Sequence, residues 1–254
     1  MFAREISQRF ELPGGYNKQG AAFLPGAGTA TQRRCYSFEL RFARAARLPA
    51  SPFCVNLPRM STLSDRALAI LHEWVQSDSL RKHCYAVSDS MRHFAQLQGA
   101  DADLWQAVGL LHDMDYERHP NQEQSATEGH PFVAVAWLRE NGWSEEVCRA
   151  ILSHADYSGV TRETPLERTL YAVDELSGFV MAVARVRPSK SVHEVDVASV
   201  KKKMKDKAFA RAVNREDITR GAAELSMPLE QLIEGVITAL KADADRLGLA
   251  GTAA

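Results

Sequence analysis

No apolar run in this chain approaches the roughly 18 residues that a membrane-spanning helix needs. Neither charge is in excess: 31 Lys and Arg stand against 32 Asp and Glu, a net charge of −1. That balance removes the electrostatic basis for a general nucleic-acid or membrane surface. Cysteine is scarce, and the four present (Cys35, Cys54, Cys84, Cys148) form no CxxC pair. They read as reduced thiols of a cytoplasmic protein. Nowhere does an alternating apolar run meet the Asn-Gly type of turn that announces a β-hairpin. With these classes set aside, the 45% apolar and 25% charged residues are those of an ordinary globular protein.

The near-neutral total hides a split. Residues 1–59 hold nine Lys/Arg against three acids, and most of the loop-like composition, such as LPGGYNKQGAAFLPGAGTATQ and LPASPF. No helical or strand period runs through them. Three readings compete for this stretch: a disordered extension, an Arg-rich and acid-poor targeting peptide, or an upstream start, since Met60-Ser61-Thr62-Leu63 looks like a natural beginning. We take 1–59 as an N-terminal extension and 60–250 as one helical domain.

From Ser64 onward the pattern is helical. Between Asp78 and Gln98, Leu80, Cys84, Val87, Met91 and Phe94 recur at spacings of four and three, a single apolar stripe, and Gly99 supplies a stop. DADLWQAVGLLHD carries Leu104, Val108 and Leu111 on one face. Pro131 opens a helix that Asn141-Gly142 ends. Ser144 caps SEEVCRAILSHA, with two glutamates in the first turn where they favour the helix dipole. Thr164-Pro165-Leu166-Glu167 forms a capping box with Pro at the first helical position. The long helix behind it places Leu166, Leu170, Val173, Ser177, Val180 and Ala184 on one face. Asp196 starts a Lys-rich amphipathic helix, and Ser226 the last one, with Leu229 to Leu240 forming a broad apolar face. The expected fold is all-α.

Several polar residues fall where the apolar stripes should be. His83 borders the stripe of its helix, His112 and His154 lie on inward faces, and Asp174 sits mid-helix four residues after Leu170. A carboxylate embedded there is costly unless it is paired or binds a cation. Asp113 and Asp115 follow the C-terminal end of an apolar helix, the negative pole of its dipole, where each anion is disfavoured by roughly 0.3–1 kcal/mol. A divalent cation reverses that sign. A single inward histidine is most often a hydrogen-bonded core residue. The joint placement of His83, His112, Asp113, His154 and Asp174 points instead to a metal site built from several helices. His72, His93, His119 and His193 read as surface or supporting residues.

The order His83 … His112-Asp113 … Asp174 resembles the HD superfamily of metal-dependent phosphohydrolases, which are all-helical bundles. The phrases GLLHDMDYE, YAVDELSG and VKKKMKDKAFARAVNRE look familiar from small bacterial members. The resemblance runs from about Leu71 to Leu240. It implies that His83, His112, Asp113 and Asp174 hold one ion, and that His130 and His154 stand where two-metal members add ligands, with Asp113 bridging. It also implies that Asp113 holds the ion-activated water. The chain departs from the pattern in several places. Ala155 follows His154 where some binuclear members supply a ligand, HDMD lacks the Gly common after the pair, and nothing matches the GYP signature of the cyclic-dinucleotide branch. Tyr116 stands where one nucleotidase-like branch has its catalytic Glu, which leaves Asp115, or Glu117, as the stand-in acid.

Imidazole and carboxylate ligands suit Mn²⁺, Fe²⁺, Co²⁺ or Zn²⁺, as one or two ions, better than Mg²⁺. The expected substrate is a small phosphorylated molecule, a nucleotide first among them, with no nucleic-acid or membrane partner. Arg187 and Lys190, after the Asp174 helix, and Lys202 and Lys205, on the Lys-rich helix, are the candidates for gripping phosphate. Most of those lysines would equally serve as the solvated face of an amphipathic helix. The rival to an enzyme is a helical sensor that binds metal and nucleotide without turnover. A scaffold whose acids form ion pairs is a third reading.

Overall fold

A computed structural model describes residues 61–251; the extension assigned to 1–59 lies outside the described residues. The elements are α1 (Leu63–Trp74), α2 (Asp78–Gln98), α3 (Ala102–Leu111), α4 (Phe132–Glu140), α5 (Glu145–Ser153), α6 (Pro165–Arg185), α7 (Val197–Met204), α8 (Arg215–Glu224), α9 (Leu229–Ala242) and α10 (Ala244–Leu247), with short 3₁₀ turns at 156–158 and 192–194. Among the described residues the one extended pairing is an isolated bridge between Ser191 and Ala250. No described helix is long and apolar enough to cross a membrane.

Local chemistry starts and stops these helices. Thr62 and Asp65 close a capping box on α1, as do Thr164 and Glu167 on α6 and Asp196 and Ser199 on α7. Gly99 takes the left-handed conformation at the end of α2, which a side chain would resist. Glu117 accepts the backbone N–H groups of Gln76 and Ser77 at the start of α2 (2.8 and 3.0 Å). It therefore serves the fold and is not the stand-in acid.

α2 and α6, the two 21-residue helices, form the axis of the bundle. α3 lies against α2 so closely that a β-carbon on Gly109 would stand 2.6 Å from Ser88 Cα; Gly221 of α8 makes the same close approach to Ala172 of α6. The stripe of α2 is buried at Cys84, Val87, Met91 and Phe94, and that of α9 at Leu232, Ile233, Val236, Ile237 and Leu240.

The C-terminal third departs from the sequence expectation. The Lys-rich helix ends at Met204, and residues 205–214 run as turns that bring Ala212, Val213 and Asn214 over the site. Arg215 ties this loop down by donating to the carbonyls of Ala210 and Val213, both at 2.7 Å, and of Phe209. α8 (Arg215–Glu224), most of which the sequence reading assigned to no helix, is a separate element. α9 begins at Leu229, after Pro228, and not at Ser226, which adopts a left-handed φ of 53°.

Candidate metal centre

Five elements deliver side chains to one point. α2 brings His83 and α6 brings Asp174, while α3 and α5 each end on a histidine, His112 and His154. Asp113 follows α3, and His130 sits two residues before α4. The two terminal histidines share a local geometry: His112 Nδ1 lies 2.8 Å from Gly109 O and His154 Nδ1 lies 2.5 Å from Ile151 O. A carbonyl only accepts, so Nδ1 carries the proton and Nε2 is left facing inward.

The inward atoms form two sets that share Asp113. Around its Oδ2, His83 Nε2 stands at 3.7 Å and His112 Nε2 at 3.6 Å, with Asp174 Oδ1 at 3.0 Å from His83 and 3.5 Å from His112. Around its Oδ1, His130 Nε2 stands at 3.3 Å and His154 Nε2 at 3.6 Å. The triads His83–His112–Asp113 and Asp113–His130–His154 are each tight enough to hold one ion. The Nε2 atoms of His83 and His112 are 3.3 Å apart, and those of His130 and His154 are 3.2 Å apart. Two neutral imidazoles presenting lone pairs at that distance repel unless positive charge lies between them. The donor set thus fits divalent ions, with protons as the alternative filling.

Protonation follows the same arithmetic. Burial alone would depress His112, but the Asp113 and Asp174 carboxylates outweigh it and raise its pKa to about 9. His130 is also raised: burial opposes, and the Asp115 and Asp113 carboxylates prevail. Burial works against Asp113 and Asp174 as anions, yet the surrounding imidazoles hold both well below the usual carboxylate range.

The cluster forms part of the wall of an open cavity of about 910 Å³. Tyr116, Asn121 and Gln124 come from the α3–α4 connection, Tyr157 from the turn after α5, and Asn214, Asp217 and Arg220 from α8 and the loop before it. Arg220 is the one Lys or Arg among the described lining residues, and it is committed to Asp156, Asp217 and the Tyr171 hydroxyl. Glu175 lines the cavity beside Asp174; burial first, then the Asp174 charge, lifts its carboxyl to about 7.

Sequence reasoning placed His83, His112, Asp113, Asp174, His130 and His154, and the fold brings all six together. It does not bring the proposed phosphate grips. Arg187, Lys190, Lys202 and Lys205 are absent from the cavity wall. α6 continues three turns past Asp174, so Arg187 is carried roughly 20 Å along the bundle by helical rise. Asp115 is wholly buried, with Oδ1 at 2.7 Å from His130 Nδ1 and Oδ2 accepting the Ala134 N–H at 2.8 Å. It does not reach the cavity, so the role of stand-in acid passes from it. Arg220, Tyr157 and Glu175 were missed. Nothing in their local spacing distinguishes them, and only the packing of α8 and of the turn after α5 beside α6 does.

Residues 80–178 match the family model described as the HD domain. Comparison with curated proteins and with solved structures found no match.

Proposed function

We propose that this chain, whose residues 80–178 match the HD-domain family model, is a metal-dependent phosphohydrolase acting on a small phosphorylated molecule, with a nucleotide as the leading class. The observation that carries the reading is Asp113, whose two oxygens face two separate histidine sets. His83, His112, Asp113 and Asp174 would hold one ion, and Asp113, His130 and His154 a second. Their nitrogen and oxygen donors suit Mn²⁺, Fe²⁺, Co²⁺ or Zn²⁺. Bound there, such ions supply Lewis acidity, acidifying water and drawing charge from a phosphoryl group.

The chain's own residues prepare that chemistry. The Gly109 and Ile151 carbonyls fix the ring orientation of His112 and His154 before any ligand arrives. Asp174 and Asp113 supply the negative charge that draws cations out of water. Among the described residues the wall supplies little positive charge for phosphate, since Arg220 is already paired with Asp156 and Asp217. The cavity is within the usual range for a small-molecule site and admits a nucleotide. Its Asn and Gln side chains can donate to and accept from a polar base or sugar.

The test uses purified protein, stripped of metal and reloaded with Mn²⁺, Fe²⁺, Co²⁺ or Zn²⁺, against a panel of phosphomonoesters and nucleotides. Turnover with at least one ion, abolished by chelator, is expected. No turnover with any ion, together with tight nucleotide binding by calorimetry, would give the site to the sensor reading.

A further inference from the structure

We propose that Asp115 is a positioning residue for His130, fixing the tautomer that leaves Nε2 bare toward Asp113 and so governing occupancy of the second ion. The inference rests on the two-ion reading above.

The three histidines at the ends of elements need an acceptor on Nδ1, and they find it in different places. His112 and His154 cap helices, so the carbonyl three residues back lies within reach. His130 follows a long connection and precedes α4, so no helical carbonyl stands behind it. Asp115 takes that place with Oδ1, at 2.7 Å. Its other oxygen accepts the N–H of Ala134, in the first turn of α4, at 2.8 Å. The residue at the N-cap, Pro131, provides no side-chain acceptor there, so Asp115 is also the cap that α4 otherwise lacks. Asp115 has no exposed surface and does not line the cavity, so it acts only through His130.

A carboxylate can accept from these two donors on its two separate oxygens, and an amide, with one oxygen and one NH₂, cannot. In Asp115→Asn, one orientation keeps the Ala134 bond and turns the amide NH₂ on His130 Nδ1. That orientation favours the Nε2–H tautomer and points a proton at Asp113. The other keeps the His130 bond and sets the NH₂ against the Ala134 N–H. Either way the preorganisation of His130 is lost or its support is strained.

The experiment is calorimetric titration of the full-length, metal-stripped protein with Zn²⁺, with stoichiometry checked by elemental analysis. Wild type is expected to take two ions per chain. Asp115→Asn should take the first ion with wild-type affinity and the second about 10–100-fold more weakly, and His130→Gln should lose that same second ion. Two ions bound at wild-type affinity in folded Asp115→Asn would overturn the inference and leave the two-ion reading standing. A wild type that takes no ion removes that reading, and the inference with it. Should Asp115→Asn fail to fold, nitrogen-15 NMR of the zinc-loaded wild type decides. The inference requires a proton on His130 Nδ1 and zinc on Nε2, and the opposite arrangement overturns it.

Discussion

Asp113 and Asp89 are both carboxylates that the fold withdraws from water, and they are neutralised in opposite ways. Asp89, on α2, meets Arg246 at 2.9 Å, while its Oδ2 is buried without a hydrogen-bond partner. Burial lifts its carboxyl to about 7, and Arg246 offsets only part of that. Among the described residues, Asp113 has no guanidinium or ammonium partner within ion-pair distance. Its neighbours are imidazoles, and they hold it far below the usual range despite burial. A guanidinium is a permanent cation that closes its site. An imidazole can surrender its proton and offer a lone pair instead. The first arrangement gives a fixed pair, and the second a place where protons and metal ions compete.

Removing the shared carboxylate should separate the two sites most sharply. Asp113→Asn is expected to lose bound metal at both positions and to cut phosphate-ester turnover by about 10³ or more, since the ion's share of transition-state stabilisation is several kcal/mol. Asp89→Asn should leave metal content and turnover near wild type. Elemental analysis and steady-state kinetics on the two variants make the comparison, and full metal occupancy in Asp113→Asn would undo it.

Next in size is the competition itself. In stripped protein His112 titrates at about 9 rather than near its ordinary 6.5. Its folded pKa is raised, so its contribution to stability is full below pH 6.5 and is lost as pH climbs through 9. Ions need the deprotonated ring, so their affinity should rise with pH by about tenfold per unit for each proton displaced. Melting curves in chelator should therefore fall between pH 6.5 and 9, while the gain in Tm on adding Mn²⁺ grows across the same window. Parallel pH profiles with and without metal would contradict this.

Five of the six ligand candidates were legible in the sequence because each is a polar residue on or beside an apolar stripe, and a stripe shows in spacing alone; His130 lies on no stripe and came only from the family resemblance. So were most helix starts, whose signals, such as Thr164-Pro165-Leu166-Glu167, are local. The end of α7 was not. Val200, Met204 and Ala208 keep helical spacing, yet Ala208 is exposed, because Arg215 gathers the carbonyls of residues 209–213 into a turn instead. Asp115 was read as a candidate acid because sequence shows that a carboxylate is near the pair but not which way it faces. The phosphate grips failed for a related reason: distance along a helix is readable, but the end of the bundle on which the cavity opens is set by packing.

The position of that cavity depends on how closely α2 and α3 approach, which gives the third prediction. Gly109→Ala would drive a β-carbon to 2.6 Å from Ser88 Cα, a backbone atom that cannot step aside. A loss of about 1–3 kcal/mol is expected, or about 2–4 °C in Tm per kcal/mol for a domain of this size. The separation of His83 and His112 should loosen with it, lowering affinity for the first ion. Gly178→Ala is the control, since its β-carbon would meet His83 Nδ1 at an ordinary 3.6 Å. Equal destabilisation of the two variants would mean that the α2–α3 contact does not set the geometry.

The smallest effect belongs to Asp89. Its folded pKa of about 7 lies above the ordinary 3.8, so ionising it is harder in the native state than in the unfolded chain. Wild type should therefore lose stability relative to Asp89→Asn as pH rises from about 4 to 7, with no further divergence above that. The asparagine keeps an oxygen for Arg246 but gives up a charge-assisted bond worth about 1.5–3 kcal/mol. That loss offsets part of the variant's advantage at pH 8. Urea unfolding at pH 4.5 and pH 8 measures the difference directly. A variant less stable than wild type at both pH values would show that the Arg246 pair outweighs burial. Asp89 would then differ from Asp113 only in the identity of its cation, and not in whether the fold tolerates its charge.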